Sequence, residues 1–260
     1  MKKLAVVCAI ALVATTVSFA QGTPSSKATA AINTAGGCTL ATSTTMGDTV
    51  PQTCHDIFTG ASVPVTPDNF ATIMSSTIKV SNSQSLFVSP SLVTGLYTRT
   101  KVKTSPGTTS SATAEGGVFL RAIATNQATN VVTVGYPVAA CNPDILGCHA
   151  DTNGNFGVTL DARVQTLTQS ISDCIVSVAG VTVAGCTFDL TTDLILKTTS
   201  AHTFNFIFPS VGVGTYNVEI QAAVNAGALT SGLATSVGAA AYGLGSVTVE
   251  SVRLVHDFSF

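Results

Sequence analysis

The run Asp151-Thr152-Asn153-Gly154-Asn155 places oxygen-bearing side chains at alternate positions, a spacing with which a loop can face a hard cation. Asp151, Asn153 and Asn155 are therefore candidate calcium ligands, and calcium is the one cofactor the sequence suggests. Phe156 stands where an EF-hand loop needs glycine, and Ala162 where it needs a bidentate glutamate. The same residues also read as a plain turn, because Asn-Gly is a strong hairpin signal and Phe156 opens an alternating apolar run. Zinc-type ligands occur in Cys54-His55 and Cys148-His149, with Asp56 and Asp151 close by. Adjacent side chains on an extended strand point to opposite faces, so each pair offers one ligand unless it lies in a turn.

Nucleophilic chemistry has no sequence signature here. His55, His149, His202 and His256 are scattered, and neither Gly-x-Ser-x-Gly nor His-Glu-x-x-His occurs, so no catalytic residue is nominated. Glu115, Glu219 and Glu250 are the only glutamates, and Glu219 and Glu250 lie on runs that read as neighbouring strands. Glycoside hydrolysis uses two carboxyl groups about 5–10 Å apart. Sugar sites also tend to offer aromatic faces, whereas this chain has no Trp and four Tyr.

The chain of 260 residues carries 11 basic and 13 acidic side chains, and only 9% of it is charged, against roughly 25% for soluble domains. No basic run exists to neutralise phosphates, which excludes a nucleic-acid partner. Lys2 and Lys3, the apolar stretch Leu4 to Val17, and Ser18-Phe19-Ala20 form the pattern of a bacterial-type signal peptide over 1–20. The apolar stretch is shorter than the roughly 20 residues of a spanning helix, so no transmembrane helix is expected after cleavage. Apart from Cys8 within that stretch, the cysteines are Cys38, Cys54, Cys141, Cys148, Cys174 and Cys186, an even set that reads as disulfides in an exported chain. Six cysteines allow 15 pairings. Pairing of sequence neighbours is the simplest guess, with Cys174 and Cys186 stapling a hairpin through Ala179-Gly180.

Residues 21–45 are rich in Thr, Ser and Ala and read as a flexible lead-in to a single domain over 46–260. Beyond Thr72 the apolar residues alternate. Val158, Leu160, Ala162 and Val164 share one face of a strand; so do Phe204, Phe206 and Phe208, and Tyr216, Val218, Ile220, Ala222 and Val224. Turn signals at Ser105-Pro106-Gly107, Asn153-Gly154 and Gly212-Val213-Gly214 separate the runs. The pattern predicts an all-β chain, an antiparallel β-sandwich of about ten strands stapled by disulfides. Near the C-terminus Val247 and Val249 alternate in one phase and Val252 and Leu254 in the other, which predicts a bulge near Glu250-Ser251.

The strand Gly214-Thr215-Tyr216-Asn217-Val218-Glu219-Ile220-Gln221 followed by Ser246-Val247-Thr248-Val249-Glu250-Ser251-Val252-Arg253-Leu254 resembles the closing strands of secreted bacterial jelly-roll-like domains. It is similar also to those of phage-fibre and tumour-necrosis-factor-like jelly rolls. The resemblance covers about 40 residues and implies a jelly-roll-like topology with an interaction role; no functional residue is carried over from it. Leu254, Phe258 and the final Phe260 share a phase that also suits the last strand of a small outer-membrane β-barrel. The expectation is an exported, non-enzymatic structural or adhesive protein, secreted, periplasmic or at the cell surface, with self-association or a surface partner. The alternatives are a glycan- or calcium-dependent binding module and a secreted hydrolase.

Overall fold

The structure, a computed structural model, describes residues 27–58, 68–172, 175–178, 181–184 and 188–253. The expected signal peptide, Cys174, Cys186, His256, Phe258 and Phe260 lie outside these residues. In chain order the strands are β1 (Ala28–Asn33), β2 (Gly37–Thr44), β3 (Ala71–Val80), β4 (Gln84–Thr104), β5 (Thr108–Asn126), β6 (Val132–Val134), β7 (Cys148–Ala150), β8 (Phe156–Ile171), β9 (Ile175–Val178), β10 (Val181–Ala184), β11 (Leu190–Thr203), β12 (Phe206–Val211), β13 (Gly214–Ser231) and β14 (Leu233–Val252). They form two six-stranded antiparallel sheets and the separate hairpin β9–β10. The count therefore exceeds the expected ten.

One sheet runs β1-β14-β4-β11, with β2 beside β14 and β12 beside β4. The other runs β3-β13-β5-β8-β7, with β6 beside β5. Following the long strands along the chain, each successive one crosses to the opposite sheet, except the step from β5 to β8. That order is the double Greek key of a jelly roll. The two sheets stay separate, and their facing sides are filled by side chains, so the chain is a sandwich and not a hollow barrel.

The N-terminal part corrects the expectation of a flexible lead-in. β1 pairs with Gly245–Glu250 and β2 with Tyr242–Thr235 of β14. The disulfide Cys38–Cys54 (Cα–Cα 6.4 Å) ties β2 to the turn at Cys54–Asp56, and Cys141–Cys148 closes a second loop, both as sequence neighbours. Ala, Thr and Ser at alternate positions carry too little hydrophobic contrast to announce such strands. The paired partner supplies what propensity does not.

The interior has two halves. One is hydrocarbon: Ile78, Leu86, Val88, Leu92, Leu120, Phe206, Phe208 and Ile220 pack with no more than 1% exposure. Phe206 and Phe208 share an inward phase with the partly buried Phe204, and Tyr216, Val218, Ile220, Ala222 and Val224 are buried, as their alternation predicts. The other half is shorter and more polar, with Thr98, Thr100, Thr104, Ser110 and Ser236 buried beside Val102, Ala112, Ala114 and Ala234. Between them the sheets meet backbone to backbone. A Cβ at Gly116 of β5 would lie 2.7 Å from the Ala239 carbonyl of β14, and one at Gly238 would stand closer still to the Glu115 carbonyl.

Strand phase is where the sequence misleads. In β8 the register against β5 shifts between Val118/Asp161 and Phe119/Thr159, leaving Leu160 as the extra residue of a bulge. Val158 is buried, but past the bulge Asp161, Arg163 and Gln165 turn inward while Val164 is 68% exposed. A one-residue slip exchanges the two faces of every later side chain. In β14 the irregularity falls between Tyr242 and Gly245, not at Glu250-Ser251, whose pairing to Phe87 and Leu86 is continuous.

Replacing Gly238 by Val is expected to destabilise the fold by about 3 kcal/mol or more in urea unfolding, because backbone oxygens cannot give way. Gly243→Ala, where an added Cβ meets nothing within 4 Å, should fall within about 0.5 kcal/mol of wild type.

Candidate functional site

The calcium and zinc candidates Asp151, Asn153, Asn155, Cys148 and His149 fall on β7 and its turn into β8, where the turn reading holds. Cys54 and His55 lie apart from them in the short helical turn Cys54–Asp56. The Asp151 loop is the turn between these strands. Gly154 takes φ +77°, and its amide donates to the Asp151 carbonyl at 2.9 Å. The Asp151 carboxylate is filled by the fold. Oδ1 accepts the amides of Asn153 (2.9 Å) and Asn155 (2.8 Å), and Oδ2 accepts the Phe70 amide (3.0 Å) and the Asn155 side chain (3.2 Å). Burial alone would raise its pKa, but these donors outweigh burial and hold it below the ordinary carboxylate value. Asn153 turns away from Asp151 and donates from Nδ2 to Asn69 (3.0 Å). The donors occupy the directions that a cation would need. Among the described residues no group of three His, Cys, Asp or Glu converges as metal ligands. Cys54 and Cys148 are consumed as disulfides, which removes the sulfur from both expected zinc pairs.

His149 instead builds a groove on the outer face of the β3-β13-β5-β8-β7 sheet. The Asp151 turn and the Cys141–Cys148 bridge hold β7 against β8, with His149 opposite Gly157. From there the imidazole stacks on Phe119 of β5, centroids 3.5 Å apart and planes 7° from parallel. Its Nε2 lies 3.0 Å from Asp68 Oδ1, and Asp68 Oδ2 accepts a bond from the Asn225 amide at 2.8 Å. Phe119 can lie flat because Gly117 has no side chain; a Cβ there would stand 2.5 Å from the ring. Glu115, Gly117, Phe119, His149, Val164 and Asn225 line a cavity of about 220 Å³. That volume is below the roughly 300 Å³ at which drug-sized sites begin and suits one small polar ring. Nothing local in the sequence marks Asp68 or Phe119. Phe119 meets His149 through the pairing of β5 and β7 with β8, and Asp68 through the bonds its carbonyl accepts from Thr152 in the β7–β8 turn.

The second cluster lies between the sheets on the β8–β11 side. Asp161 Oδ2 accepts the Thr94 hydroxyl at 2.7 Å, and Ser200 Oγ lies 2.7 Å from His202 Nε2. The residue types are those of a hydrolase triad, but the geometry is not. Asp161 Oδ2 is 3.4 Å from the same Nε2 that meets Ser200, whereas a triad puts carboxylate and nucleophile on opposite ring nitrogens. Farther along the same seam Gln165 accepts from Thr98 (2.7 Å) and donates to Thr100 (2.5 Å), and Arg163 donates to Thr198. These bonds cross between the sheets, and each stands where hydrocarbon would fill a conventional sandwich. The expected Glu219–Glu250 pair does not form: Glu219 sits on β13 and Glu250 on β14, in different sheets. Glu219 bonds instead with Thr72 and Asn217 on its own sheet.

Taken together, the topology and the two clusters define a disulfide-bonded jelly-roll sandwich with a shallow groove on one outer face. No family model matches the chain. No curated protein matches it. Among solved structures, the chain is similar at 12% identity and TM-score 0.13 to the infectious bursal disease virus Gx strain, covering 88% of this chain and 42% of that one. The T13 IBDV viral particle gives 11% and 0.13, with 88% and 40% coverage. The chain thus spans about two-fifths of the length of these structures. Such scores identify no shared fold.

Asp151→Ala should cost about 2–4 kcal/mol at neutral pH by stranding buried amides. Because the folded pKa is depressed, the carboxylate's contribution is complete above the unfolded-state value and is lost as pH falls through the folded one. The gap between wild type and Asp151→Ala in thermal melts should therefore narrow in acid.

Proposed function

We propose that this chain is an exported, non-enzymatic interaction protein, structural or adhesive, acting in the periplasm, at the cell surface or outside the cell. The observation that carries this reading is the open β8–β11 side of the sandwich, where Leu190, Leu194 and Leu196, on one face of β11, are all 42–49% exposed. Contiguous exposed aliphatics on a sheet mark an interaction surface. The two disulfides support an oxidising compartment. Among the described residues no helix is long and apolar enough to cross a membrane. The carboxylates that could serve catalysis are occupied: Asp151 binds amides, Asp68 orients His149, and Asp161 joins the sheets.

A glycan-binding reading is favoured by one observation, the groove in which Glu115 and Asn225 flank the Phe119–His149 stack. Polar side chains beside an aromatic face on a rigid sheet are the elements of a sugar subsite.

Light scattering on the purified protein tests the interaction reading. Concentration-dependent assembly is expected, and a monomer at every concentration would contradict it. Calorimetry with simple sugars tests the second reading: binding abolished by Glu115→Ala together with Asn225→Ala would support it, and no binding heat from any sugar would remove it.

A further inference from the structure

We propose that β11 is a self-pairing edge through which two copies of this chain join antiparallel to form one continuous sheet, an inference that rests on the interaction reading and gives it a partner. β11 is the terminal strand of its sheet, and among the described residues only β4 pairs with it. That pairing runs from Leu190↔Thr104 to Thr203↔Ser91 without a bulge. Edge strands are commonly blunted by proline, bulges, short length or charged side chains. Leu190–Thr203 has no proline, no bulge and full length, and its two charges, Asp193 and Lys197, are of opposite sign.

The backbone fixes which residues offer hydrogen bonds to a newcomer. The Phe204 amide donates to the Pro90 carbonyl at 3.1 Å, in register with the β4–β11 ladder. Antiparallel strands alternate, so even-numbered residues of β11 turn their amides and carbonyls to β4. The odd-numbered residues Thr191, Asp193, Ile195, Lys197 and Thr199 turn theirs to the free edge. A two-fold axis at Ile195 makes these groups meet in mutual pairs, Ile195 with itself.

The side chains single out that register. With Ile195 on the axis, Asp193 of one copy stands opposite Lys197 of the other, and Leu194 opposite Leu196. Asp193 and Lys197 are both exposed and lie on the outer face with Ile195, while Leu194 and Leu196 share the inner face with Thr100 and Thr98. Shifting the axis to Leu194 or Leu196 sets Lys197 against Thr191 or Ile195, and no opposite charges then meet. Opposite charges and matched aliphatics directly across two strands each contribute to pairing, and a surface complementary to itself is what a two-fold dimer requires. Arg99 holds Asp193 with bonds of 3.1 and 2.7 Å, and Lys197 Nζ donates to the Ile57 carbonyl at 2.5 Å, so both charges are positioned on the outer face by their own chain before the partner arrives.

The test compares association of wild type with Ile195→Lys by sedimentation. Ile195→Lys places like charges on the axis and should weaken association at least tenfold; unchanged association of Ile195→Lys would overturn the proposal while leaving the interaction reading standing. A monomeric wild type would contradict both. Oxidation of single-cysteine additions reads the register: Ile195→Cys should give a covalent dimer, since opposed Cα atoms at about 5.5 Å fall within disulfide reach. Thr203→Cys, on the same face of β11 but far from the axis, should not. Equal cross-linking of the two would overturn the register.

Discussion

The close approach of the two sheets at Gly116 and Gly238 governs how everything else is filled. Stacked sheets ordinarily lie about 10 Å apart, a gap that side chains occupy. Here the Glu115 and Gly227 carbonyls of one sheet come against Gly238 of the other, so the gap closes to backbone contact. On one side of this pinch the sheets accommodate Phe206, Phe208 and Leu120. On the other, β5 and β14 turn only Ala and Ser inward, Val102 of β4 packs against Ala112 and Ala234, and Ser236 Oγ reaches the Thr113 carbonyl at 2.5 Å. A polar interior depends on its groups being bonded: the Thr98–Gln165–Thr100 chain and the Ser110–Lys103 carbonyl bond meet that need, while Arg163 Nη1 and the Gln169 side-chain amide are buried there without a partner.

The bulge at Leu160 is the second half of that arrangement. It turns Asp161, Arg163 and Gln165 inward, where the polar half of the interior can use them, and turns Val164 out toward the groove. The outer groove and the inner seam are therefore two faces of one irregular strand. Leu194 and Leu196 lie beside this polar seam on the edge strand β11, each 42% exposed.

How much of this was legible in the sequence depends on contrast. β13 alternates large apolar with polar side chains and Phe204, Phe206 and Phe208 recur at every second position into β12, so the existence and phase of both can be read. β1 and β2 consist largely of Ala and Thr, residues equally at home in a loop, and only their pairing to β14 makes them strands. The phase of β8 could not be read, because Leu160 carries nothing that distinguishes a bulged residue from a regular one. The neighbour pairing of Cys38–Cys54 and Cys141–Cys148 was within reach because short loops bring the thiols together. The groove was not, since Asp68, Phe119, His149 and Asn225 are far apart in the chain. Metal and triad chemistry looked available from residue types alone. In the fold, Asp151 spends its lone pairs on amides, and His202 meets Ser200 and Asp161 through a single nitrogen.

Residue-resolved amide exchange along β11 tests the account most directly. The Leu194 and Leu196 amides face β4 and should be protected at any concentration. The amides of Asp193, Ile195 and Lys197 face the free edge and should exchange rapidly in dilute protein, becoming protected as concentration rises. Rapid exchange at Ile195 in the associated protein would show that the molecules meet elsewhere and would contradict the edge-pairing account.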